Sequence, residues 1–185
     1  MIGKNWRVLA GLCVGTVLAA CQQTGSRNDF YDNPLLPGDE VEVLQTITIP
    51  AGQARIYVQY GKTMSYSSTD QYAPFCYFLL RDPLPVEQQI RPGVLVVDSL
   101  WLDEASVNME RQVRVAGMTL AYGGDRTPIA YQSHIKLRSP QQGMLTLVCS
   151  GAFDMAISAR PIRLAEMRAV LGAFAVVRVK TPAGQ

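Results

Sequence analysis

The sequence predicts a mainly β fold, an antiparallel sandwich or barrel with one short C-terminal α-helix. Three observations carry this. Runs with a period of two recur along the chain from about residue 41. Glycine- and proline-bearing turns separate them. One late stretch alone has helical spacing. Alternation of this kind marks strands with one buried face, and many short strands joined by turns mark sandwiches and barrels.

Each element follows from its residues. In "VEVLQTITI", Val41, Val43, Ile47 and Ile49 share a face. "PAG" at 50–52 is a turn, and "QARIYVQYG" alternates again, so the two runs are expected to form a hairpin. "FCYFLL", from Phe75, is apolar on both faces and reads as a central strand. "VLVVDSLWL", from Val94, is another. "RQVRVAGMTLAY", from Arg111, is expected as a strand bent at Gly117, followed by a turn at "GGDRTP". From Ile129 to Arg138 the alternation is cleanest: Ile129, Tyr131, Ser133, Ile135 and Leu137 face one way, and Ala130, Gln132, His134, Lys136 and Arg138 the other. "MLTLVC", from Met144, is a buried strand. In "RPIRLAEMRAVLG", Leu164, Met167 and Leu171 recur at helical spacing, with Pro161 expected at the first helical position and Gly172 at the stop. "AFAVVRVK" is the last strand.

The first twenty residues are of another kind. Lys4 and Arg7 are followed by an uncharged, mostly apolar segment of residues 8–20. A bilayer span takes about 20 apolar residues, so this segment reads as a signal-peptide core rather than a membrane helix. Leu18-Ala19-Ala20-Cys21 ends it. This tetrapeptide resembles the lipobox of bacterial lipoprotein precursors. The resemblance implies cleavage before Cys21, acylation of that cysteine, and attachment to the membrane through its lipid. A plain secretory signal with a chance cysteine is the alternative. Gln22 follows the cysteine, and in Gram-negative lipoproteins a residue other than aspartate there resembles the class sorted to the outer membrane, with the domain facing the periplasm. The organisation expected is a signal peptide over residues 1–20, a polar, turn-rich tether over 21–40, and a single β-rich domain over 41–185.

Charge narrows the partners. The formal net charge is +2; without Lys4 and Arg7 the count is 15 basic against 15 acidic. A chain that tracks phosphates needs a basic stripe, so nucleic acid is not an expected partner. With no net charge, contacts are expected to be mainly apolar and aromatic.

Four cysteines are encoded. Cys13 leaves with the signal peptide and Cys21 takes the lipid, which leaves Cys76 and Cys149, each in an apolar strand. In an exported domain a remaining pair is expected to be bridged; two unpaired core thiols are the alternative. His134 is the only histidine and no spaced His/Cys cluster surrounds it, so no metal site and no cofactor are expected. It reads as a solvated or hydrogen-bonded surface residue. There is no G-x-S-x-G elbow and no P-loop. Asp103-Glu104 reads as an acidic pair in a solvated loop. No catalytic residue is assigned, and the chain is not expected to be an enzyme.

Aromatics cluster around the third predicted strand, among them Tyr57, Tyr60, Tyr66, Tyr72, Phe75, Tyr77 and Phe78. The loop "GKTMSYSSTDQYAP" is long, polar and tyrosine-bearing, so Tyr57, Tyr60, Tyr66 and Tyr72 form the candidate contact surface. "IPAGQARIYVQYG", "YAPFCYFLL" and "RLAEMRAVLG" resemble a group of Gram-negative lipoproteins to which no activity is assigned. The expectation is a membrane-anchored accessory or scaffold that contacts another envelope protein. The alternative is a module that binds a small amphiphile or glycan in a groove of the β domain.

Overall fold

The computed structural model describes residues 35–106 and 127–180. Ten strands and one α-helix make up this part of the chain. Eight strands form one antiparallel sheet that curls into a half-barrel: β10 (Ala175–Arg178), β1 (Glu40–Val43), β7 (Gly93–Ser106), β8 (Ile129–Ser139), β9 (Gly143–Ser150), β5 (Phe75–Leu79), β3 (Arg55–Gln59) and β4 (Lys62–Met64), in that spatial order. Two short strands, β2 (Ile47–Ile49) and β6 (Gln88–Ile90), pair separately. The helix α1 (Leu164–Leu171) lies near the C-terminus. The mainly β fold class with one short late helix is therefore the observed one.

The core lies on the inner face of the sheet. Alternation brings Val41, Val43, Ile56, Val58, Phe78, Leu95, Ile135, Leu137, Leu145, Leu147, Ala175 and Val177 there. Ile47, Ile49 and Ile90 from the small ladder close over it, with Met167, Val170 and Leu171 from α1. Each such fully buried aliphatic chain contributes roughly 1.5–3 kcal/mol. The expected strands over residues 75–80, 94–102, 129–138 and 144–149 are all present, and both faces of β8 carry the residues that its alternation assigned.

Cys76 and Cys149 sit directly opposite each other on β5 and β9, with α-carbons 4.0 Å apart and sulfurs at disulfide distance. Such a close approach is that of a narrow antiparallel pair, in which neighbouring side chains meet.

A bulge in β7 decides which residues face the core. Val97 pairs with Leu137 and Ser99 with Lys136, so Asp98 is the extra residue. Before it, Leu95 and Val97 point inward; after it, Leu100 takes the inward position opposite Ile135. One inserted residue inverts the alternation. Trp101 is thereby turned outward, opposite His134.

Several expectations are corrected. The runs around "PAG" do not pair with each other: β1 lies between β7 and β10, β2 pairs with β6, and β3 pairs with β4 and β5. The turn at 51–52 exists, but the chain crosses there between two separate ladders. Residues 35–40, expected in the tether, belong to the fold. Leu35 is fully buried. Asp39, also buried, accepts the Leu36 and Lys180 backbone N–H groups, each at 2.8 Å, and so ties the two ends of the domain together. The helix begins after Arg163 rather than at Pro161, with the Glu166 carboxylate accepting the Arg163 backbone N–H at 2.9 Å. Gly172 ends it as expected. Asp103 and Glu104 lie within β7, not in a loop. The strand and turn expected over 111–128 fall almost wholly outside the described residues, as do Cys21 and its lipobox.

Candidate functional site

The outer face of the sheet is not simply solvated. Reading the register across β7, β8, β9, β5, β3 and β4 gives one row, Trp101, His134, Val148, Tyr77, Tyr57 and Met64. Tyr57, Phe75, Tyr77 and Val148 form a second, smaller apolar cluster on this face. The Tyr57 ring lies 5.1 Å from Tyr77 and 6.1 Å from Phe75, both at tilted angles that aromatic pairs favour.

Over this floor opens a groove of about 1060 Å³. Tyr57, Phe75 and Tyr77 form its base, and Tyr66 and Phe153 stand beside them. Amide and hydroxyl groups of Gln53, Ser65, Ser67, Gln71, Ser106 and Gln132 line it together with Ala54, Pro83 and Ala105, and among the described residues Arg55 is its one charged lining residue.

Local structure places each wall. Tyr60 and Gly61, with φ of 54° and 67°, join β3 to β4 in a two-residue turn of the type that hairpins favour. The following loop is held by Gln59. Its side-chain amide donates to the Asp70 carbonyl at 2.8 Å, and its carbonyl accepts the Asp70 N–H at 3.0 Å. Further contacts reach the Ala73 and Pro74 carbonyls. Gln59 is 1% exposed, although its place in the alternation put it on the solvated side. A short 3-10 turn, Tyr66–Ser68, then presents the Tyr66 ring 5.4 Å from Tyr57. The Gln71 carbonyl accepts the Phe153 N–H at 2.9 Å, which brings Phe153 to the groove. On the opposite rim, the Leu84 carbonyl accepts the Gly52 N–H, and the Gln88 side-chain amide donates to the Gln53 carbonyl.

Burial raises the pKa of Tyr77, Tyr57 adds to this, and Arg55 opposes it, so Tyr77 stays protonated and able to donate. The Arg55 guanidinium donates to the Tyr57 hydroxyl at 3.3 Å and lies 5.8 Å from the Tyr77 ring centre.

At the other end of the row, Trp101 stacks on His134 with ring centres 4.8 Å apart and planes 15° from parallel. His134 is therefore largely covered, not solvated. Its Nε2 is buried without a hydrogen-bond partner among the described residues, and the Asp103 carboxylate stands 4.0 Å away. Burial lowers the His134 pKa, and Asp103 opposes that shift. Among the described residues no side chain hydrogen-bonds to the His134 Nε2.

Of the four tyrosines of the candidate contact surface, Tyr57 and Tyr66 line the groove and Tyr60 and Tyr72 do not. Tyr66 is exposed and lines the groove, and Tyr57 is buried as its floor. Tyr72, two-thirds exposed, follows the turn in which the Asp70 carboxylate accepts its N–H, and it is not part of the groove. Tyr60, exposed at the hairpin turn, is likewise not part of the groove. Sequence reasoning missed Arg55, Gln132, Phe153 and Trp101 as members of this face. Alternation put Arg55 and Gln132 on the outward side, but only the strand order brings them together.

The described residues form a β-sheet fold with an open, aromatic-floored groove on the outer face of its main sheet. Set against known protein families, curated proteins and solved structures, the chain shows no significant match.

Proposed function

We propose that this chain is a lipid-anchored, non-catalytic binding protein of the bacterial envelope, held through Cys21 at the outer membrane, whose working surface is the outer-face groove. The observation that carries the reading is the groove itself, a ligand-sized concavity floored by aromatic rings and lined by amides and hydroxyls. Such a mixture, a broad apolar base with a few convergent polar groups, is the usual make-up of a small-molecule or carbohydrate site. It favours the binding-module reading, with a glycan as occupant, over a scaffold that touches only protein. The protein-contact reading draws on exposed apolar side chains outside the groove, chiefly Ile157 at 89% exposure.

A photo-crosslinking residue placed at Tyr66 in the anchored, full-length protein tests this in cells. Capture of material that glycosidases degrade and proteases do not is expected. The same residue at Leu44, which is exposed and absent from the groove lining, should capture none of it. Capture of protein alone at Tyr66 would replace the glycan reading with the scaffold one.

A further inference from the structure

We infer that the outer face recognises an acidic glycan, through two cations set apart on aromatic rings along one track across the sheet. The inference rests on the groove being the binding surface, and it adds the charge and the extended length of the ligand.

The register supplies the geometry. Lys136, Thr146, Leu79 and Arg55 form a row across β8, β9, β5 and β3, next to the aromatic row. Lys136 and Arg55 thus stand three strand spacings apart, about 14 Å along the sheet. Both are exposed. Each rests on an aromatic ring of the adjacent row: the Lys136 ammonium is 5.6 Å from the Trp101 ring centre, and the Arg55 guanidinium 5.8 Å from that of Tyr77. Neither forms an ion pair among the described residues, whereas Arg138, on the same face, is paired with Asp98. Of the acids beside the track, Asp98 is taken up by Arg138, and Asp103, beyond Trp101, faces His134. A ring face holds a cation in place without neutralising it. Two such cations at a fixed separation suit a chain with repeated carboxylates.

Three features select a glycan over an acidic peptide. The strands beneath the track, β8, β9, β5 and β3, are each paired on both sides. A peptide therefore finds no free backbone edge to extend there. The groove's amides and hydroxyls both donate and accept, which matches sugar hydroxyls. Trp101, 42% exposed, stands at one end of the aromatic row, and Tyr66, 58% exposed, stands beside Tyr57 near the other.

The test is calorimetric titration of the full chain in detergent with tetragalacturonate and with its methyl ester, which differ in charge and in one methyl group per residue. The acid is expected to bind at least tenfold more tightly than the ester at low salt, and to weaken as salt rises. Arg55→Gln and Lys136→Gln should each cost several-fold, and together should reduce the acid to the affinity of the ester, with melting temperatures unchanged. Tyr66→Ala should weaken both ligands. Equal binding of acid and ester, with loss in Tyr66→Ala, would overturn the acidic inference and leave the groove reading standing. Binding of neither ligand would overturn the inference, as would tighter binding of a poly-glutamate peptide or a single-stranded oligonucleotide. Binding indifferent to all three substitutions would remove the groove reading as well.

Discussion

Gly172, which ends α1, lies so close to Gly61 of the β3–β4 turn that a Cβ on Gly172 would come within 2.6 Å of the Gly61 α-carbon. The Gly61 N–H donates to the Val170 carbonyl at 3.0 Å, so the hairpin turn docks on the last turn of the helix. Gly172 also has φ 53° and ψ −124°, a conformation that a side chain disfavours. Gly172→Ala should therefore destabilise the domain by about 2–5 kcal/mol, combining the backbone cost with overpacking. Gly61→Asn should cost about 1 kcal/mol or less, because asparagine accepts this turn conformation and a Cβ there finds 3.5 Å of room. Urea unfolding of the two variants measures both.

The Cys76–Cys149 pair closes a loop of sequence separation 73. In the chain-entropy account a bridge of that span contributes about 4–5 kcal/mol, less any native strain. Cys76→Ala, Cys149→Ala and the double variant should lose the same amount, since one bond is lost in all three. Additive losses in a double-mutant cycle would mean two separately packed thiols.

Histidine 134 gives the domain a pH signature. Its pKa is lowered in the fold, so between that value and 6.5 the unfolded chain binds more protons than the native one. Stability should be fully present above pH 6.5 and fall as the pH drops through the window below it. Burial under the stacked Trp101 ring lowers the value, and Asp103 favours protonation. Melting temperatures measured between pH 8 and 5 should show the decline in the wild type and a flatter profile in His134→Gln. A steeper profile in the variant would contradict the assignment.

Gln59 holds the groove's tyrosine-bearing loop through a buried amide. Gln59→Leu fills the same space but leaves the Asp70 N–H and carbonyl without their partner. A loss of about 1–3 kcal/mol is expected. Hydrogen exchange should quicken at Asp70, and protection in β8 and β9 should be retained at equal populations of native protein.

Cys21 is expected to carry the lipid. Mass spectrometry of the mature N-terminus should find acyl groups on that residue, and Cys21→Ser should stay unprocessed. An unmodified cysteine, or a chain that still begins at Met1, would end the anchoring proposal.

The sequence by itself determined the class of fold and most of its strands, because each strand's alternation is local and shows directly which side must be buried. Residues 129–138 are the clearest case. It also determined the helix stop at Gly172, and, with two cysteines set aside by the resemblance of Leu18–Cys21 to a lipobox, it led to the expectation that Cys76 and Cys149 pair. It did not reveal that β1 and β2 belong to different ladders, since alternation states which face is buried but not which strand lies alongside. The bulge at Asp98 was equally hidden: one unpaired residue leaves no mark on a short apolar run, yet it turns Trp101 outward. The groove depends on both. Arg55, Tyr77, Gln132 and Trp101 are far apart in the chain and meet only through the register of β7, β8, β9, β5 and β3. Strand order is set by non-local burial summed over the whole core, so the site belongs to the tertiary structure alone.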